Sequence, residues 1–441
     1  MEIQLTREAR GHILTNANVW SPDSQWIVYD VRSDTEGVNF DSDSIEMVNV
    51  SSGEVRRLYT ARNGAKCGVV TFNPRRFRVA FILGPENPTK DWSYGPSHRQ
   101  GVMVDVARPE LAVNLDARDL TPPLTAGALR GGSHVHVWSP DGRWLSFTYN
   151  DALLDQFVEE TEGHDCDLRN VGVSAAQKKV RVSEEHGRNH DGALFSVLAT
   201  RTTARPKPGS DEIKRAFEES WVGNEGYVKR DGTRQKRALA FQGEVVTSAG
   251  KTISEVFIVD LPDDLTRASA DGPLQGTPTK RPLPPLGTQQ RRLTYSENRV
   301  FPGIQGARHW LRSSPDGEQI GFLMRDDTGT VQLWTVSPNG GMPRQITRDV
   351  WDVASAFSWD YSGHVVSYVA DNSVFMVEVA TGESTRLTER SSDSEAPLAL
   401  ACVFSPDGKR IAFLRRVAHS TEEGAAYFNQ IFVVDLPESL F

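Results

Sequence analysis

The sequence predicts an all-β fold, a seven-bladed β-propeller whose ring is closed by its N-terminal strand, and three features predict it. First, an apolar stretch followed by Ser-Pro-Asp-Gly or a relative recurs as VWSPDSQWIVY at Val19 to Tyr29, VWSPDGRWLSF at Val137 to Phe147, RSSPDGEQIGF at Arg312 to Phe322 and VFSPDGKRIAF at Val403 to Phe413. A strand–turn–strand unit repeated at intervals of tens of residues is the signature of propeller blades. Second, units end in a Leu-Thr-like tag, as at Leu293-Thr294, Ile346-Thr347 and Leu387-Thr388. Third, the chain begins with EIQLT, a tag without a unit, and its last unit, IFVVDLPESLF, has no tag. Residues 2 to 6 then supply the outer strand of the last blade, which removes exposed sheet edges.

Blade one carries the first copy of the phrase. Blade two carries a degenerate copy, VTFNPRRFRVAF at Val70 to Phe81, and blade three the second full copy. Blade four lacks the Pro-Asp-Gly turn and is expected between Gly192 and Thr294, with strands LFSVLAT from Leu194, ALAFQGEVV from Ala238 and EVFIVDL from Glu255. Blade five has the third full copy, blade six the relative AFSWDYSGHVVSY at Ala356 to Tyr368, and blade seven the fourth. Pro suits the first corner of a type I turn, and Asp or Gly suits the positions after it, so each phrase reads as a hairpin connection. Two stretches depart from the repeat. In residues 201–236, Ser210 and Asp211 can cap a short helix with Ile213, Phe217 and Trp221 on one face, which predicts a small helical insertion in blade four, either a lid over the channel or flank packing. Residues 269–290 are Pro/Gly-rich and read as an exposed loop.

A chain of 441 residues ordinarily divides into several domains, but repeat arrays are exempt, so one propeller over residues 1–441 is expected. The net charge of −9 is spread along the chain, which argues against a nucleic-acid groove. The N-terminus has no basic start followed by an apolar stretch, and no apolar run approaches the ~18 residues of a membrane span. Cys67, Cys166 and Cys402 are scattered without zinc-like spacing and read as reduced thiols. A cytoplasmic protein with no membrane partner is expected.

The repeated phrase aligns the blades without any homologue. Five residues before its Ser, on the inner strand, stand Asn16, Gly68, His134, His309, Ser355 and Leu400. His136 follows His134 by two, and residues two apart on a strand share a side. His190, in GRNHDGALF before the expected first strand of blade four, is placed near the same level. His134, His136, His190 and His309 could therefore converge at one end of the channel and hold a divalent metal such as Mn, Fe, Ni or Zn. Asn16, Asn18 and Asn189 could supply oxygen ligands or orient the rings, and Arg188, Arg308 and Arg130 would suit a carboxylate or phosphate. The same histidines could equally be hydrogen-bonded to loop carbonyls, or serve acid–base chemistry without a metal. Trp20, Trp138, Trp144 and Trp334 read as inter-blade packing, and Asp23, Asp141, Asp316 and Asp407 as turn residues. His12, His98, His164, His186, His364 and His419 have no aligned partner and are expected at the surface. There is no Gly-x-Ser-x-Gly elbow, phosphate loop or dinucleotide fingerprint.

The Ser-Pro-Asp-Gly phrase resembles that of the TolB-like propellers. With GGSHVHVWSPDG, GRNHDGALFSV, PGSDEIKRAFEESWVG and RHWLRSSPDG, the whole chain resembles the bacterial YidR-like proteins. It is more distantly similar to the oligogalacturonate lyases, cytoplasmic seven-bladed propellers that hold manganese with histidines and a glutamine and eliminate short uronides with a histidine base and an arginine. His134 and His136 match their His-x-His before a blade turn. Gly131 stands where they have the Gln, and the remaining histidines come after the pair here rather than before it. The resemblance implies a metal that binds the uronate carboxylate and stabilises an enediolate, with His190 or His309 as base and Arg308 or Arg188 neutralising the carboxylate. Isomerisation of a sugar acid shares that first step. The TolB resemblance implies instead a non-catalytic scaffold for a protein partner, with loops 84–100 and 269–290 as candidate contacts. Loss of function on removing the channel-mouth histidines separates an enzyme from a scaffold.

Overall fold

A computed structural model describes residues 1–34, 37–307, 309–421 and 424–436. Seven four-stranded antiparallel sheets succeed one another around a ring. The inner strands are Gly11–Ile13, Cys67–Phe72, Gly131–Trp138, Ala216–Trp221, Arg312–Ser313, Ser358–Trp359 and Pro397–Phe404. The ring closes as expected. Glu2, Ile3 and Gln4 pair with Val434, Val433 and Phe432 on the outer edge of the last blade, and Leu5 N–H extends the ladder to Ile431 O at 2.8 Å. Among the described residues the only helical element is the short 3-10 turn Asp393–Glu395, and no helix is long and apolar enough to cross a membrane. Cys67, Cys166 and Cys402 are buried and free.

The repeated phrase works as a hydrogen-bonded device. In blade three the Ser139 hydroxyl donates to Asp141 Oδ1 (2.6 Å) and accepts from Trp144 N–H (2.9 Å), while Asp141 also takes Arg143 N–H (3.0 Å). Ser21 with Asp23, Ser314 with Asp316 and Ser405 with Asp407 repeat it. The tag has its own chemistry. Thr294 Oγ1 accepts Val256 N–H at 2.9 Å and donates to Glu255, and Thr347 does the same between Leu333 and Gln332. Each threonine satisfies an N–H where the outer strand has peeled away from the third.

Blade four corrects the sequence reading. The outer strand of blade three is Phe195–Leu198, and Thr200 is its tag, accepting Val171 N–H at 2.9 Å. LFSVLAT therefore closes blade three rather than opening blade four. The predicted helix in 201–236 is instead the inner strand of blade four, Ala216–Trp221, paired with Ala238–Val246. Its register slips between Phe217 and Ser220, and Glu218 has φ 54°. This bulge puts one extra residue into the strand, and Phe217 and Trp221, four apart in sequence, lie on an extended chain and not on a helix face. No helical lid exists there. Residues 269–290 join the third and outer strands of blade four and carry small bridges of their own, such as Thr277 with Lys280. They also cover Arg130, which donates to the Gln275 and Thr277 carbonyls.

Tryptophans stitch the blades together. The residue before the turn is aromatic in six blades: Trp20, Phe72, Trp138, Trp221, Trp359 and Phe404, with Ser313 in blade five. Trp20 Nε1 donates to Val403 O (3.0 Å), Trp221 Nε1 to Val137 O (3.0 Å) and Trp359 Nε1 to Arg312 O (3.1 Å), each on the inner strand of the preceding blade. Trp144 packs edge-on against Trp221, with centroids 6.4 Å apart. Trp334 bonds within its own blade, to Met324 O at 2.9 Å. Trp138 Nε1 is buried without a partner. Trp221→Phe should therefore cost about 1 kcal/mol of stability through the lost hydrogen bond, whereas Trp138→Phe should cost less than about 0.5 kcal/mol. Denaturant midpoints of the two variants check this; equal losses would remove the stitching role of the indole N–H.

Candidate functional site

The inner strands run from one mouth of the channel, where His134 lies, to the turns at the other. At the first mouth the His-x-His pair is split. Val135 has φ 55° and the register shifts between His134 and Val137, so the alternation that would put both rings on one side is broken. His134 lies beside Thr148, with Nδ1 to Oγ1 at 3.3 Å. His136 is buried, its Nε2 3.0 Å from Ser133 Oγ, and that hydroxyl also faces Asp116 at 3.3 Å. Gly101 N–H donates to Asp116 Oδ1 at 3.1 Å. A Cβ on Gly101 would overlap His136 Nε2 and the Asp116 carboxylate, so only glycine fits. Burial pushes His136 down to about 3 and Asp116 up to about 6. Although Ser, His and Asp meet here, the serine bridges the other two. A hydrolytic triad needs the histidine in the middle.

His190 is not near the inner strand of blade four. Its backbone pairs with Arg118, in the crossover from blade two to blade three. Its Nε2 is buried without a hydrogen-bond partner, and burial together with the Arg118 charge pushes the ring down to about 3. Asn189 braces the same crossover. Its Oδ1 accepts Leu120 N–H (2.8 Å) and its Nδ2 donates to Ser183 O (2.9 Å). Arg188 donates to Glu86 O (2.6 Å) and Asn87 O (2.9 Å), clasping the loop 84–100. On that loop Trp92 stacks with His98 at 3.8 Å, under the guanidiniums of Arg118 (5.5 Å) and Arg188 (5.9 Å). Tyr94 stacks on Phe40 at 4.4 Å, with Arg99 over Tyr94 at 5.2 Å and Arg32 over Phe40 at 5.6 Å.

His309 is fixed by the backbone. Its Nδ1 faces Ala307 O at 2.9 Å and its Nε2 accepts Leu323 N–H at 3.1 Å, so the proton sits on Nδ1 and neither nitrogen is left for a ligand. Burial pushes it down to about 4. Arg308 lies outside the described residues. Arg130 is buried against Asp151, Nε to Oδ2 at 2.7 Å. Asn16 accepts from Arg312 through both its backbone and side-chain oxygens. Asn18 lines the opposite end of the channel.

Among the described residues no three His, Cys, Asp or Glu side chains are grouped to hold a metal ion. The residues expected to bind Mn, Fe, Ni or Zn do not fit one, because His309 is saturated by the backbone and His134 and His136 have separate partners. His12, expected at the surface, is buried with Nδ1 3.1 Å from Asn429 O.

Sequence reasoning missed two features. One is the aromatic and basic loop Trp92 to Arg99. The other is Arg312, two residues before the Ser of its phrase, where the other full copies carry Val19, Val137 and Val403. Arg312 reaches into a cavity of about 510 Å³ at the turn end of the channel, lined by all seven blades. The alignment that singled out the histidines contained this substitution as well.

The family model described as a protein of unknown function (DUF3748) matches residues 66–190, and the dipeptidyl peptidase IV N-terminal region matches residues 289–413. The chain is 47% identical over 414 residues to the uncharacterised protein YidR of Escherichia coli strain K12, covering 93% of this chain and 94% of that protein. An oligogalacturonate lyase in complex with manganese superposes with a TM-score of 0.54 at 13% identity, covering 100% of this chain and 94% of the other. The oligogalacturonate lyase of Vibrio parahaemolyticus gives 0.52 at 11%, covering 99% and 94%. A puromycin hydrolase gives 0.52 at 12%, covering 97% of this chain and 52% of the hydrolase. At these identities the likeness is one of fold.

The locked imidazole of His309 predicts a pH response. An unfolded histidine titrates near 6.5, and the folded one is pushed down to about 4. Its contribution is therefore complete above pH 6.5 and declines as pH falls toward 4, by about 3 kcal/mol, because the unfolded chain takes up the proton first. His309→Gln should be less stable than the parent at pH 7 and lose less between pH 6.5 and 4. Denaturant titrations across that range check it, and an unchanged slope would mean that the ring is protonated within the fold.

Proposed function

The chain belongs to the YidR family, and from that premise we propose that it acts on an acidic saccharide of the uronide class at the mouth above blades one to three. The observation that carries this reading is the cluster of half-buried aromatic rings, Phe40, Trp92 and Tyr94, overlaid by Arg32, Arg99, Arg118 and Arg188. Flat rings suit the apolar faces of pyranose rings, and the half-buried Arg188 presents a guanidinium to a carboxylate, while Arg32 is held by Asp30 and Arg118 by the His98, Arg99 and Gly131 carbonyls. The fold shared with the oligogalacturonate lyases supports the same substrate class.

The chemistry of this reading is removal of a proton next to a carboxylate, leading to elimination or isomerisation. His190 is its base, through an Nε2 that is buried without a partner in the free protein and that substrate binding has to uncover to come within hydrogen-bond reach. In the free protein that ring is a weak base, pushed down by burial and by Arg118. A bound uronate adds negative charge beside it and raises its proton affinity toward the working range. Arg188 neutralises the carboxylate from the edge of Trp92. No step passes through a metal, since the residues expected to ligate one do not fit it. A cytoplasmic site of action belongs to the same proposal.

The test is calorimetric titration with short oligogalacturonides and with neutral oligosaccharides of equal length, alongside absorbance of unsaturated product. Uronides should bind and neutral sugars should not. Trp92→Ala should weaken binding at least tenfold, and His190→Ala should abolish turnover while leaving binding within about threefold. Equal binding of neutral and acidic sugars, or none of either, would overturn the reading.

A further inference from the structure

The turn end of the channel holds a positive charge without a matching counter-ion. Arg312 is 8% exposed, and its guanidinium donates to neutral oxygens: Leu311 O at 2.9 Å, Asn16 O at 3.1 Å and Asn16 Oδ1. The carboxyl whose charge acts on it is Glu219, which is fully buried and makes no hydrogen bond through either oxygen. Burial pushes Glu219 up to about 7, so it is a partial counter-ion at best. A guanidinium does not lose its proton in a protein, and an uncompensated buried charge is costly. Around it lies the cavity of about 510 Å³, with Asn18, Ser220 and Ser358 as polar lining and Trp20, Trp221 and Trp359 in the wall. That size and mixture match a small-molecule site.

We propose that this cavity is a binding site for a small carboxylate or phosphate anion, with Arg312 as its anchor. The site stands apart from the saccharide reading, which concerns the opposite mouth and other residues. The anion supplies the missing charge, the Ser220 hydroxyl turns to it from its long 3.3 Å bond to Trp221 O, and the indoles contact its apolar part. Blade five alone brings an arginine to this position in place of the valine of the other full copies, so the charge belongs to one place on the ring.

The experiment is thermal unfolding and tryptophan emission of the full chain titrated with inorganic phosphate and with citrate, against sodium chloride of equal ionic strength. A saturable rise in Tm and a saturable emission change are expected with at least one anion and not with chloride. Phosphate alone or citrate alone identifies the ligand class. Arg312→Gln should weaken that binding at least tenfold, and Glu219→Gln, which removes the competing carboxyl, should strengthen it about threefold. Should Arg312→Gln fail to fold, Ser220→Leu narrows the cavity with Arg312 in place and should abolish the response. No saturable response in the parent protein, or one that survives both Arg312→Gln and Ser220→Leu, overturns the site.

Discussion

The inner strand of every blade is a sheet edge that no further strand covers, and much of the structure answers that constraint. Its edge faces the central channel, and buried backbone groups need partners. The indoles of Trp20, Trp221 and Trp359 answer by reaching back to the inner strand of the preceding blade. The edges are thereby joined to one another, which sets the spacing of neighbouring blades and the aromatic wall of the cavity. Blades two and seven carry Phe72 and Phe404, which have no donor, Trp138 Nε1 in blade three has no partner, and blade five departs further. Its inner strand is Arg312–Ser313, with no aromatic before the turn, and Arg312 spans to Asn16 of blade one instead.

A second constraint acts at the other mouth. Val69, Val135 and Glu218 occupy the same place on three adjacent inner strands, with φ of 59°, 55° and 54°. For a β-branched valine that conformation is strained, by an order of 1–3 kcal/mol. The strain persists because the surrounding ladders and crossovers fix it, as where Asp30 accepts Val69 N–H at 2.9 Å. Three bulges side by side redirect the side chains of blades two to four, a sector that overlaps the arginine and aromatic cluster at blades two and three.

Much of this fold was legible because its devices are local. A serine, an aspartate and the two N–H groups that follow them are neighbours in sequence, so the turns and most of the blades could be read directly. Ring closure was legible too, from complementary ends. Blade four was not. Ile213, Phe217 and Trp221 stand four apart, a spacing that one face of a helix and one face of a strand share, and the bulge at Glu218 leaves no mark in the residue pattern. Recognising Thr200 as the tag of blade three would have moved the boundary. The roles of the histidines stayed open in the sequence for a different reason. Whether a ring is free depends on which distant group reaches it, and nothing in the sequence near His309 announces the Leu323 N–H that occupies its Nε2. The arginine in the channel was visible as a break in the repeat, whereas its lack of a counter-ion was not.

The pairing of Glu2, Ile3 and Gln4 with the strand Gly424–Asp435 has a bearing on synthesis. Glu2–Gln4 leave the ribosome well before the strand they pair with has been made. Six blades can assemble in the order they emerge, but the seventh waits until its third strand is free of the exit tunnel. Until then the nascent protein is an open arc in which the apolar faces of blades one and seven, Val19 and Ile27 on one and Val403 and Ala412 on the other, lack each other's cover, the state in which the chain has most need of protection from its neighbours.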